Sequence, residues 1–544
     1  MALALERRRL LQLAAFGAGA AATHSAAYAQ FLGALGFTHG VASGEPGQAS
    51  VLLWTRYVPA SGDFARLTWE VADSDDFAGL LASGEAESSG ERDHCLKVVA
   101  GGLKPDRWYF YRFRDAAGQA SPVGRTRTLP EGPTGGFKLA LFSCSNIGFG
   151  WFNAYAHAAE RNDLDLAVHV GDYLYEYQPG RYPSLAEGLR PAALQPRHET
   201  VALADYRLRF AAYRADPDLQ RLHQLLPMIA MWDDHEVANN SWADGAENHQ
   251  PTSEGPWPVR KAAAIQAYHE WMPVSDVEPR SYEIGDLATI VMPETRLTGR
   301  SPPLDYGATL RGQVDIAAAL LQFRDGPWRD PARTLMGTVQ ENWLVGQLRK
   351  SRRRGATWQI LAQQVLVGHV AMPFEMESWV VPNAPAAART RAQILLAASK
   401  LDLPLNLDSW DGFPAARERL FEASLAADAN LLVLSGDTHN AWALDLKHRG
   451  TPVGVEVGGQ SVTSPGNERD LPHLPAGTFS RALVGRNPQL KWANNHQRGY
   501  ATVEITPERA TAEWLFMNTV RERTTAIAAS HRMTTLAGTR RFAA

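Results

Sequence analysis

The stretch Asp165–Glu176, DLAVHVGDYLYE, decides how the chain is read. A short apolar run, Leu166 to Val170, breaks at Gly171-Asp172, and Tyr173, Tyr175 and Tyr177 follow. An apolar run bounded by glycine reads as a buried strand. A carboxylate just past its C-terminal end stands where open α/β sheets present ligands and catalytic groups. Aspartate after glycine is also ordinary turn chemistry, so Asp172 alone decides nothing. Its weight comes from three other apolar runs that end the same way. Phe137–Phe142 leads into Ser143-Cys144-Ser145-Asn146, and Pro227–Trp232 into Asp233-Asp234-His235-Glu236. Leu431–Leu434 leads into Ser435-Gly436-Asp437-Thr438-His439.

Around these runs the texture alternates between α and β. Helical spacing is read at Trp151–Arg161, Val201–Arg214, Val259–Trp271, Thr338–Arg349 and Ala386–Lys400, the last preceded by Pro385 where a helix start tolerates proline. Trp358–Ala362 is a further strand, ending at Gln363-Gln364. Gln178–Glu199 and Pro302–Leu335 have weak periodicity and are expected to be surface insertions, candidates for lining the site.

Upstream, the pattern from residue 31 to 130 is all-β. Ser50–Tyr57, Ala65–Ala72, Cys95–Ala100 and Trp108–Arg114 are rich in Val, Trp, Tyr, Phe and Thr and are separated by Gly, Pro and Asp turns. That spacing predicts an immunoglobulin- or fibronectin-like sandwich, with Glu131–Gly136 as the linker to a catalytic part spanning 137–530. The first thirty residues read as a signal peptide: a charged ERRRLLQL (Glu6–Leu13), a small apolar run to Ala22, and Ala27-Tyr28-Ala29. Paired arginines before leucines resemble the twin-arginine (Tat) signal, which exports folded proteins, so a periplasmic or secreted location is expected. No later stretch is apolar and long enough to span a bilayer. A net charge of -4 over 544 residues gives no electrostatic reason for a nucleic-acid partner. Two cysteines, Cys95 and Cys144, cannot form a disulfide scaffold.

The candidate constellation is Cys144, Asp172 with Tyr175, Asp234-His235 and Asp437-Thr438-His439, each just beyond a strand. Four strand ends can converge at one sheet edge, and a carboxylate bridging two cations is what a two-metal hydrolase needs. Thiolate and phenolate are poor ligands for Mg²⁺ or Ca²⁺ but suit a strongly Lewis-acidic ion such as ferric iron.

These residues resemble the PhoD-like alkaline phosphatases, a branch of the metallophosphoesterase superfamily related to purple acid phosphatases and to an iron-dependent phospholipase D. The resemblance runs through HGVASGEP (His39–Pro46), FSCSN (Phe142–Asn146), GDYLYEY (Gly171–Tyr177), WDDHEVANN (Trp232–Asn240), DSWDGFPAAR (Asp408–Arg417), LSGDTH (Leu434–His439) and RGY (Arg498–Tyr500). It implies an α/β metallophosphoesterase domain with a β-sandwich core flanked by helices, preceded by the all-β domain. It further implies a ferric ion (Fe3+) held by Cys144, Asp172, Tyr175 and His439, and a second cation, calcium (Ca2+), shared by Asp172 and completed by Asp234 and Asp437. Gln364 or Gln363 is implied as a further ligand, His235 as transition-state stabiliser or proton donor, and Arg498 as a phosphate clamp. The expected reaction is hydrolysis of phosphate monoesters by a metal-activated hydroxide. Phosphodiesterase or phospholipase D activity is the alternative on the same metals, and a binding protein with a degraded site is the reading from another class. One departure is at Val291–Arg300, where the family pattern leads us to expect Asp and Glu294 stands instead, with Arg296 retained.

Overall fold

The parallel strands carry the architecture. In the computed structural model, which describes residues 34–381 and 385–543, Phe137–Phe142, Leu166–His169 and Met228–Ala230 pair in parallel, with Leu139 opposite Leu166 and Ala167 opposite Met228. The signal-peptide segment read at 1–30 lies outside the described residues. Ala288–Met292, Trp358–Ala362, Leu431–Ser435 and Thr451–Gly458 form the parallel centre of a second, seven-stranded sheet. The first sheet has nine strands, with antiparallel strands from Gly499–Ile505 to Ile527–Leu536 added on one flank.

Because these strands are buried on both faces, they are almost uniformly apolar. Leu139, Leu141, Val168 and Ile229 of one sheet pack with Ile290, Ile360, Leu432 and Val457 of the other in one core. Helices including Leu203–Arg214 and Trp257–Trp271 cover the nine-stranded sheet, and Gly337–Arg353 and Pro414–Ala426 cover the other. The result is a two-sheet sandwich between helical layers. The strands ending at Phe142, His169, Ala230, Met292, Ala362 and Ser435 lead directly into the segments that bear the candidate ligands and their neighbours.

The all-β segment forms a sandwich whose two sheets meet through Val41, Val51, Leu53, Leu67, Val71, Tyr109 and Phe113. One face is the four-stranded sheet Leu80–Ser89, Phe64–Ala72, Trp108–Arg114, Gly124–Arg127. The other face is an extension of the nine-stranded sheet: Gly36–Gly44 pairs in parallel with Met228–Ala230 at Gly44 and Met228. A Cβ at Gly44 would lie 2.0 Å from the Pro273 carbonyl oxygen, so this junction requires glycine. The segment is therefore joined to the rest of the chain through a shared sheet as well as through Glu131–Gly136.

Pro302–Leu335, read as a surface insertion of weak periodicity, carries short regular elements of its own. It holds the helices Tyr306–Leu310 and Ile316–Asp325, capped by the Asp305 and Asp315 carboxylates. Leu320, Phe323 and Trp328 bury into a satellite core. Both helices are short, so their apolar stripes hardly repeat. Gln178–Glu199 is irregular apart from the turn Pro191–Ala193. Among the described residues, no helix is long and apolar enough to cross a membrane.

Candidate metal centre

Four candidate ligands sit at left-handed backbone positions: Cys144 at φ 58°, Asp172 at 55°, Asp437 at 62° and His439 at 64°. Non-glycine residues there cost about 1–2 kcal/mol each, and they persist where the surroundings over-determine them. Here the loops are spliced to one another. The Cys144 amide donates to Gly171 O at 3.2 Å, Ser145 N to Asp172 O at 2.8 Å, and Gly436 N to Gln364 O at 2.7 Å. Gly171, at φ 103°, cannot be replaced without collision, because a Cβ would lie 2.4 Å from that of Asp233.

Three overlapping groups of side chains result. Donor atoms of Cys144, Asp172 and His439 lie within 4.8 Å of one another, as do those of Asp172, Asp234 and His235, and those of Asp233, Asp234 and Asp437. Asp172 is common to the first two and Asp234 to the last two.

With Asp172 ionised, the first group together with Tyr175 is one proton short. The Tyr175 hydroxyl is 3.1 Å from Asp172 Oδ2 and 3.1 Å from His439 Nε2, and it accepts from Ser464 Oγ at 2.9 Å. His439 Nδ1 lies 2.7 Å from the Pro465 carbonyl, which can only accept, so Nδ1 carries the hydrogen and Nε2 offers a lone pair. The single phenol proton can serve the carboxylate or the imidazole, and lone pairs face each other at the remaining contact. A cation resolves that conflict. Burial pulls His439 down to about 3, so it is neutral and able to ligate. Burial, reinforced by Asp172, pushes the Cys144 thiol and Tyr175 phenol well above their ordinary values. A bound cation would reverse both shifts.

The other two groups carry excess negative charge. Asp172 Oδ1, Asp234 Oδ1 and Asp233 Oδ2 are buried without a hydrogen-bond partner. Burial and neighbouring carboxylates push Asp172 and Asp437 well up and Asp233 to about 6. Like charges crowded out of water are what a divalent or trivalent ion neutralises. The donor set therefore fits metal on geometry and on charge. One guanidinium partly compensates: fully buried Arg296 reaches Asp233, Asp234, Asp408 and, at 2.9 Å, Asp437.

His235 presents Nδ1 to Glu176 Oε2 at 2.7 Å, which directs Nε2 away from that carboxylate. Burial opposes protonation of this imidazole, but Asp234, Glu176 and Asp172 together raise it well above its usual value. Glu176 Oε1 accepts from Asn239 N at 2.7 Å and Asn248 Nδ2 at 2.8 Å. Glu176 lies within GDYLYEY (Gly171–Tyr177), and the sequence alone assigns it no role. Its signal was an acidic residue next to a candidate ligand, on a segment already fixed by Asp172.

The remaining candidates have other partners. Arg498 pairs with Glu468 and donates to Gln497 O at 2.9 Å, and burial lowers it to about 10 while Tyr182 and Cys144 act against that fall. Gln364 accepts from Thr295 Oγ1 at 2.6 Å and donates to Trp232 O at 2.7 Å. Gln363 is hydrogen-bonded to Val365 and Trp410. Glu294 is a loop anchor. It accepts from the Trp232 indole at 3.0 Å, the amides of Arg296 and Leu297 at 2.7 Å, and both the amide and hydroxyl of Thr298. A cleft of about 450 Å³ lined by Glu45, Gln48, Arg280 and Tyr282 contains none of these residues.

Comparison with known proteins defines the class. Residues 139–514 match the family model described as PhoD-like phosphatase, and residues 22–130 match its N-terminal domain. The chain is a phosphoric ester hydrolase. Alkaline phosphatase D of Bacillus subtilis (strain 168) is 32% identical over 518 residues, covering 89% of this chain and 78% of the relative. A solved structure of PhoD superposes with a TM-score of 0.74 at 31% identity, covering 92% of this chain and 90% of that one. The chain belongs to the PhoD-like phosphatase family.

Proposed function

We propose that the protein is an alkaline phosphatase that hydrolyses phosphate monoesters by in-line attack of water at phosphorus, without a covalent enzyme intermediate. The observation that carries this reading is the chain of three ligand groups linked through Asp172 and Asp234, with buried carboxylate oxygens left unpartnered. Cys144, Asp172, Tyr175 and His439 would hold Fe3+. Asp172, Asp234 and Asp437 would hold Ca2+, with Asp233 adjoining. These cations would supply Lewis acidity that offsets phosphate charge and brings the ionisation of water into the neutral range.

The chain's own groups do the rest. His235, oriented by Glu176, directs Nε2 at the reacting phosphoryl group and donates a proton or hydrogen bond to the departing oxygen. Arg296 holds Asp233 and Asp437 in place. Arg498 would exchange Glu468 for a phosphate oxygen, a geometry a guanidinium suits. The leader-like residues 1–30 support export of the folded protein by the twin-arginine machinery and a periplasmic or secreted location. Phosphodiester hydrolysis uses the same groups. The test is turnover of p-nitrophenyl phosphate against bis-(p-nitrophenyl) phosphate with calcium present. Preference for the diester would overturn the monoesterase reading, and turnover of neither would overturn the hydrolase assignment of this centre.

A further inference from the structure

Ser461–Gly466, SVTSPG, follows the strand Thr451–Gly458 and is buried from Ser461 to Ser464, yet none of its side chains is a candidate ligand. Its polar groups converge on the iron side of the centre. The Thr463 and Ser464 amides both point at the Cys144 carbonyl, at 3.5 and 3.4 Å, and the Val462 amide donates to Ser143 O at 3.0 Å. The Ser461 amide and hydroxyl each reach His439 O at 3.4 Å. Pro465 O receives His439 Nδ1–H at 2.7 Å, and Ser464 Oγ donates to the Tyr175 oxygen at 2.9 Å. Gly466 seats the segment against the turn after His439: a Cβ there would lie 2.1 Å from Asn440 Oδ1, which accepts from Asn467 N. One short segment therefore touches Cys144, Tyr175 and His439. Asp172, the ligand shared with the second group, is held from elsewhere, its amide donating to Glu236 Oε2 at 3.1 Å.

These contacts differ in kind. Most are backbone bonds that fix a loop. The Ser464 hydroxyl instead ends on a ligand atom. Tyrosine binds a metal as phenolate, which has no hydrogen, so in the loaded centre Ser464 is the donor of this bond. A hydrogen bond to a ligand atom draws electron density from it and shifts the potential of the ion, as happens at copper thiolates and iron–sulfur clusters. The direction of the Ser464 side chain is set by bonds on its own backbone. Its amide points at Cys144 O, and its carbonyl accepts from Ser461 Oγ.

We propose that Ser461–Gly466 is a strap over the iron ligands and that Ser464 is its positioning residue, whose hydroxyl orients the Tyr175 oxygen and limits how strongly that oxygen donates to the ion. The inference rests on the iron assignment above.

The experiment records the visible spectrum, iron content and midpoint potential of the full-length, iron-loaded protein and of three variants. Ser464→Ala removes the donor and leaves the backbone bonds in place. The phenolate then donates more strongly, so the charge-transfer band moves to longer wavelength and the midpoint potential falls. Turnover of a monoester should fall about 10-fold in kcat at unchanged KM. Ser464→Thr keeps the hydroxyl and returns the band to its native position. Ser461→Ala loosens the strap without removing a donor to any ligand atom, and its band stays in place. A band unmoved in Ser464→Ala overturns the proposal. So does a shift of the same size in Ser461→Ala, which would make the strap a scaffold alone. A native protein that binds no iron, or binds it without the band, overturns the iron assignment and the role of Ser464 with it.

Discussion

Glu176 Oε2 lies 2.7 Å from Nδ1 of His235, and the other oxygen of the same carboxylate is pinned by Asn239 and Asn248. A carboxylate behind an imidazole fixes its tautomer and its direction, the job outer partners perform at many metal sites. Replacing Glu176 with Ala should lower kcat about 10- to 100-fold with little change in KM, because the phosphate-binding groups remain. Glu176→Gln should recover part of the loss by keeping one acceptor near Nδ1. Steady-state kinetics on a monoester decide the point. A rise in KM at constant kcat would show that Glu176 shapes binding instead.

Asp172 is the residue shared between two ligand groups, and Tyr175 is within 3.1 Å of it. If they hold ferric iron, the purified protein absorbs visible light through phenolate-to-iron charge transfer, and Tyr175→Phe bleaches that band. Asp172→Asn should remove turnover while thermal unfolding remains cooperative, since one buried, unpartnered oxygen is replaced by an amide of the same shape. A colourless, iron-free but fully active protein sinks the iron assignment, and near-normal turnover by Asp172→Asn sinks the bridging role.

What the sequence discloses depends on how local its causes are. Trp108–Arg114, Phe137–Phe142, Trp358–Ala362 and Ala386–Lys400 are found where the pattern puts them, because apolar runs and flanking Gly or Pro act over a few residues. The strand read at Pro227–Trp232 shrinks to Met228–Ala230, since Trp232 is drawn away, its indole to Glu294 and its carbonyl to Gln364. The helix read to Arg349 continues to Arg353, its last turn carrying basic residues that favour a helix C-terminus but extend no apolar period. Convergence is the least visible part. Gly44 meets Met228, and Arg296 gathers carboxylates from three other loops, without any local mark of either contact.

Glu294 tests whether a conspicuous carboxylate is a ligand or an anchor. Both of its oxygens are occupied by donors from its own loop and from Trp232. Glu294→Ala would strand those buried donors and loosen the turn that carries Arg296, at a cost on the order of 3 kcal/mol. Urea unfolding should show this as a lower midpoint. Calcium affinity of the folded protein should stay within about a factor of three, well short of the loss expected for a ligand. Unchanged stability with a large loss of calcium affinity would make Glu294 a ligand after all.

His369 gives the pH dependence that is independent of the centre. Its Nδ1 is 2.9 Å from Asp411 Oδ1, and Asp411 also receives the Val370 amide at 2.9 Å and the Arg417 guanidinium. Burial resists charging this imidazole, but Asp411 and Asp402 outweigh it and raise His369 to about 9. Because the folded value lies above the unfolded one, near 6.5, the stabilisation is complete below that pH and is lost as pH rises through about 9. The loss is on the order of 2–3 kcal/mol, the side chain being 21% exposed. Thermal unfolding should therefore fall between pH 6.5 and 9.5 in the native protein. In His369→Gln it should start lower and vary less over that range. A native protein whose unfolding temperature is flat across those values, or rises, would show that the pair does not hold the imidazolium.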